Sequence, residues 1–209
     1  QLSKLSLIIK PSNLKSILNN KIKEGKLISE IDLFLNEQGS LKDFIARGSV
    51  DNLNIELVND LNFNNGNLSF FADKNDILIK NIFGELENIQ ISDGDIKLNL
   101  ENGIKLNSNF KSKVKFDKKI SNKYVKFFNK FSQVNKISDL SADLNNSLSI
   151  DMDKTYKVKN YTYQILGNLE KSKFEFSKPI KNYFVSKELK EIYFSDLQIE
   201  MKLDPINIY

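Results

Sequence analysis

Apolar residues recur at every second position through much of the chain. Leu53, Ile55 and Leu57 alternate with Asn54 and Glu56, Leu68 and Phe70 flank Ser69, Ile77 and Ile79 flank Leu78, and Leu86, Ile89 and Ile91 follow. Ile96, Leu98 and Leu100 alternate with Lys97 and Asn99, Ile104 and Leu106 flank Lys105, and Val114 and Phe116 alternate with Lys113 and Lys115. Successive side chains of a strand point to opposite faces, so this pattern predicts strands with one apolar and one wetted face. Between the runs stand Asn65-Gly66, Asn75-Asp76, Asp93-Gly94 and Asn102-Gly103. Asn-Gly and Asp-Gly favour the positive φ angles of tight hairpin turns. Turns recurring at about nine residues predict short antiparallel strands joined in sequence, well over a dozen in a long meander.

The pattern changes in three places. After a strand-like Leu5, Leu7 and Ile9, the residues Leu14, Ile17, Leu18 and Ile22 fall at helical spacing. Ser12 or Asn13 stands where an N-cap belongs and Gly25 where the C-terminal cap belongs, so the spacing predicts a helix over 12–24. Leu27, Ile31, Leu33 and Leu35 then return to strand spacing before a turn at Gln38-Gly39. Tyr124, Phe127, Phe128 and Phe131 lie at i, i+3, i+4 and i+7 with Lys123, Lys126 and Lys130 off the stripe, which predicts an aromatic-faced helix over 122–133. That face suits packing on a sheet end. It also suits a plug at a groove mouth or a membrane interface. Ser186–Ile192 reads as a third helix of one or two turns. A second strand group over 146–204 includes Leu148, Ile150, Val158, Tyr161, Tyr163, Ile165, Phe174 and Phe176, is interrupted at Pro179, and ends with Leu197, Ile199, Met201 and Leu203.

Composition narrows the chemistry. The 209 residues are 40% hydrophobic and 28% charged, enough for a sizeable core. No stretch reaches the roughly 18–20 apolar residues of a membrane-spanning helix. Cysteine and histidine are both absent. Thiolate and imidazole chemistry, soft metal sites and the Ser-His-Asp and Cys-His constellations are therefore excluded, and no cofactor or metal is expected. The net charge is +4, but nearly all the cations are lysine, Arg47 is the only arginine, and acids are interspersed among them. That is a solvated surface rather than a phosphate-reading track, so no nucleic-acid partner is expected. The pairs Asp73/Asp76, Asp93/Asp95 and Asp151/Asp153 sit at turn-like or outward positions. They lack the spacing of a calcium loop or a convergent catalytic pair, and the chain reads as a non-enzyme.

An apolar face must be covered: by a second layer, by closure into a barrel, by helices, or by a ligand. Burial stabilises by about 25 cal/mol per Å² whether the cover is protein or an acyl chain, so alternation alone leaves a closed core and a lipid groove both open. The order of features is informative here. It runs from PSNLKSILNNKIKEG through LISEIDLFLNEQGSLKDFIARGSVDNLNIEL to NGNLSFFADKNDILIKNIFGELENIQISDGDIKLNLENGIKLNSNF. Over 11–116 this order resembles the AsmA-like family of bacterial envelope proteins, of the YhdP and TamB type.

The resemblance implies a mostly β chain: a long curved antiparallel meander with a hydrophobic concave face, plus two or three short amphipathic helices. It implies that residues 1–209 form one elongated internal segment of a larger, periplasm-spanning protein anchored in the inner membrane outside this sequence. It further implies that the groove conducts phospholipid acyl chains between the inner and outer membranes. The lining would be Leu53, Ile55, Leu57, Leu68, Phe70, Ile77, Ile79, Leu86, Ile89, Ile91, Ile96, Leu98, Leu100, Ile104, Leu106, Val114 and Phe116. Tyr124, Phe127, Phe128 and Phe131 would stand at a groove end or a membrane surface. The competing reading is a structural or adhesive β-sandwich or solenoid with a closed core and no ligand.

Overall fold

The structure is a computed structural model that describes residues 21–57, 61–87, 89–101, 103–116, 134–155, 157–181 and 188–205. These form nine strands: β1 (Ile22–Leu35), β2 (Leu41–Glu56), β3 (Asn62–Ala72), β4 (Asp76–Leu86), β5 (Ile89–Asn99), β6 (Ile104–Phe116), β7 (Val134–Met152), β8 (Val158–Lys181) and β9 (Glu188–Leu203). They make one sheet in the order β1 to β9, every pair antiparallel. β1 and β9 are the two edges and do not pair with each other, so the sheet is open.

Three of the hairpins turn on one device. Asn36 Oδ1 accepts the N–H groups of Gln38 (3.1 Å) and Ser40 (2.8 Å), with Gly39 at φ 77°. Asp73 Oδ1 accepts those of Asn75 and Asp76, both at 2.8 Å. Asp153 Oδ1 accepts the N–H groups of Thr155 (2.8 Å) and Lys157 (3.1 Å) and the Thr155 hydroxyl (2.6 Å). In each, a short side chain stands in for a backbone acceptor and fixes the turn locally.

The meander is as expected, but its strands are fewer and longer, from 11 residues in β3 to 24 in β8. Asn65-Gly66 and Asp93-Gly94 are the main reason. They are not hairpin turns; they lie inside β3 and β5. Asn65 has φ 53° and Asp93 φ 50°, and the pairing slips by one residue at each. Asn52 (φ 52°) in β2 and Asn81 (φ 54°) in β4 do the same. These are β-bulges, in which an extra residue in the left-handed region lets a strand bend and continue. Asn and Asp tolerate that region better than other non-glycine residues.

Other expectations are corrected too. Ile22–Glu24, the end of the predicted 12–24 helix, is strand, and Gly25 continues β1 at φ 155° between two slips of register. Glu188–Ile192 belongs to β9, not to a helix: Leu189 pairs with Ile180 and Ile192 with Phe174, on either side of a shift of register. Pro179 does not end its strand; it lies in β8 within the interval where the β8–β9 register shifts, and a proline is tolerated where no ladder hydrogen bond is demanded. The second strand group starts at Val134 rather than at 146. No helix occurs among the described residues. Residues 12–20 and the aromatic helix over 122–133 lie outside them.

Candidate functional site: the apolar face

Each bulge moves the apolar side chains by one position, and the register restores them to a common face. On β2 the face carries Ala46, Gly48 and Val50, then Leu53 and Ile55; on β4 it carries Ile77 and Ile79, then Ile82, Gly84 and Leu86. The result is a set of transverse rows. Ile22, Ile55, Phe63, Leu86, Ile89, Val114, Ala142, Leu169 and Leu197 stand side by side, one from each of the nine strands. No polar residue interrupts this row. A second row runs through Ile31, Ala46, Ala72, Ile77, Leu98, Leu106, Ile150 and Tyr161. A third contains Phe70, Ile79, Ile96, Ser108, Leu148, Tyr163 and Leu203.

The face is deepest along the first row, where Phe63 (9% exposed), Val114 (5%), Ala142 (2%) and Leu169 (9%) are buried. Leu140, Leu144, Phe174 and Ile199 pack against Val114, Ala142 and Leu169. Toward the β1 edge the same face opens: Ile31 is 54% exposed and Leu33 63%. The opposite face carries the charges. Arg47 meets Glu30 at 3.0 Å and Lys111 meets Asp93 at 2.9 Å, both pairs exposed. Such pairs contribute little to stability.

Buried polar residues on β6–β8 break the apolar face at Ser108, at Ser172 and at a cluster around Asn146. The Asn146 amide donates to Ser112 Oγ (2.9 Å) and to the carbonyls of Phe110 and Leu144 (3.3 Å each), and its Oδ1 accepts the Tyr163 hydroxyl at 2.8 Å. Asn146 is 4% exposed and its hydrogen-bonding capacity is filled within the protein, as a buried amide requires. Burial pushes the Tyr163 phenol pKa up.

Most residues singled out from alternation lie together. Leu53, Ile55, Leu68, Phe70, Ile77, Ile79, Leu86, Ile89, Ile91, Ile96, Leu98, Ile104, Leu106 and Val114 share the one face by register. The backbone of Phe116 pairs with Leu140 on the same parity. Leu57 and Leu100 fall just past strand ends, where their N–H groups bond Leu61 O (2.8 Å) and Asn75 O (2.7 Å) across the hairpins. Tyr124, Phe127, Phe128 and Phe131 lie outside the described residues. Alternation missed Val50, Phe63, Ile82 and Phe110, and the β7–β8 residues Leu140, Ala142, Leu144 and Leu169. The signal for Val50, Phe63 and Ile82 was a hop of three with Asn at the second step: Val50-Asp51-Asn52-Leu53, Phe63-Asn64-Asn65-Gly66, Ile79-Lys80-Asn81-Ile82; Phe110 keeps plain alternation with Leu106 and Val114.

The acid pairs do other work. Asp73 is held below the ordinary carboxylate range by the backbone N–H groups of Asp76 and Asn75, and Asp153 by the Thr155 hydroxyl and the N–H groups of Lys157 and Thr155. Both are turn formers. Among the described residues no cluster of three acids could hold a metal ion. No helix among them is long and apolar enough to cross a membrane, which says nothing of strands. No family model, curated protein or solved structure matches the chain.

Proposed function

We propose that this sheet is a lipid-conducting segment of an AsmA-like envelope protein, and that its apolar face is the path for phospholipid acyl chains. The observation that carries the reading is the unbroken apolar row from Ile22 to Leu197, running across all nine strands of an open sheet. A closed sandwich would need a second sheet over this face, and the described strands supply only one. Bulges bend and twist strands, and a sheet that curls around its apolar face forms a groove perpendicular to its strands. An acyl chain lying in that groove meets apolar side chains at each step of about 4.8 Å. The saturated Asn146 cluster offers a passing chain no unpaired amide. The order of features over 11–116 supports the family. On this reading the protein works in the periplasm, is anchored to the inner membrane through sequence outside this segment, needs no cofactor and performs no catalysis.

A photo-crosslinking amino acid at Ile96 or Leu98, on the apolar face, should capture phospholipid in cells making the full-length protein, while one at Lys97 should not. Equal capture at all three positions, or none at any, overturns the reading and favours a structural or adhesive segment with a covered core.

A further inference from the structure

The face opposite the proposed groove carries a trough of about 520 Å³ across β3–β7. Five strands at about 4.8 Å make it about 19 Å long. We propose that this trough is a binding site for an uncharged oligosaccharide. Its cations are already neutralised: Lys111 meets Asp93 at 2.9 Å and Lys113 meets Asp143 at 3.4 Å. Glu85 adds a further carboxylate to the lining, so the trough has no surplus positive charge for a phosphate or a polyanion. The uncharged lining includes amides and an aromatic ring. Gln90 and Asn145 present side chains that both donate and accept, the capacity that sugar hydroxyls demand. Phe83 shares the lining and is 44% exposed, so a flat apolar ring is open to the trough. An aromatic platform beside uncommitted amides suits the alternating C–H and O–H surface of a pyranose ring.

The site is on the reverse of the sheet and does not depend on the lipid reading. Titration of isotope-labelled protein with maltohexaose, cellohexaose and chitohexaose, followed by amide NMR, tests it. At least one neutral glycan should give saturable shifts confined to Phe83, Gln90, Ser92, Lys111 and Asn145. F83A and Q90A should each weaken that binding about tenfold without changing the thermal midpoint. The proposal is overturned if none of the three glycans gives saturable shifts there. It is equally overturned if only inorganic phosphate or a charged hyaluronan oligomer does, or if both variants bind like the parent.

Discussion

The ring of Phe63 lies over Gly84 on the neighbouring strand, so closely that a Cβ built on Gly84 would stand 2.4 Å from Phe63 Cζ. Gly66 is under the same ring, with its would-be Cβ 2.4 Å from Cε1. Phe63 is 9% exposed and occupies the unbroken apolar row, so the two glycines are the floor on which it rests. G84A should therefore destabilise the sheet by about 1–3 kcal/mol, the cost of overpacking a filled site. F63L should recover part of that loss in the double variant, because a smaller side chain vacates the space. Urea unfolding of the two single variants and the double measures the coupling.

The bulges give a second test. Asn65 stands at φ 53° while its N–H donates to Asn54 Oδ1 at 3.0 Å and its carbonyl accepts from Asn67 Nδ2 at 3.4 Å. Both bonds use the backbone of residue 65. N65G keeps them and relieves the side-chain penalty of a left-handed residue, so its stability should equal or slightly exceed that of the parent. N65V should lose about 1–2 kcal/mol. At Asn81, at φ 54°, the side-chain amide also donates to Ser69 Oγ at 3.1 Å, so the Gly variant loses that bond but should still be more stable than the Val variant. Equal stability of the Gly and Val variants would contradict the bulge account.

These bulges also explain how far the fold was legible. Alternation identified the antiparallel meander and fourteen residues of the apolar face, because burial on one side imposes a period of two. It misplaced Asn65-Gly66 and Asp93-Gly94 because a bulge and a hairpin turn need the same positive φ, and hence the same residues. Only pairing with the neighbouring strand distinguishes them. Phe63 and Ile82 were missed for a related reason: each lies next to a bulge, where strict alternation fails. Asn146 carries no sequence signal, since an asparagine between Asn145 and Ser147 reads as surface until Tyr163 and Ser112 are brought to it.

Removing Asn146 tests that cluster. N146A deprives the Tyr163 hydroxyl of its acceptor and Ser112 of its donor, and each stranded group costs about 1–3 kcal/mol. Y163F alone also loses a bond, but the double variant N146A/Y163F should cost less than the sum of the singles, since each removes the other's unpaired partner. Additive losses by chemical denaturation would place the two side chains outside one network.

Acid should weaken the hairpins. The folded pKa values of Asp73 and Asp153 are depressed below the ordinary value of 3.8 by hydrogen bonds to the charged form. A depressed carboxylate contributes stability that is fully present above the unfolded pKa and is lost as pH falls through the folded one. The thermal midpoint should be insensitive to these two groups above about pH 5 and decline below about pH 4. D73N and D153N keep an oxygen that accepts from the turn but lack the charge, so each should flatten part of the acid limb by lowering the midpoint at neutral pH toward its acid value. An unaltered acid limb in the double variant would show that other groups control it.

The central claim is that the row from Ile22 to Leu197 is a surface for lipid. Native mass spectrometry of the protein purified from a bacterial envelope, with lipid analysis of the released ligand, tests it most directly. The account predicts bound phospholipid that is lost in I96E/L98E, a variant whose strand content is retained by circular dichroism. A lipid-free, fully stable monomer that binds no hydrophobic dye would contradict it.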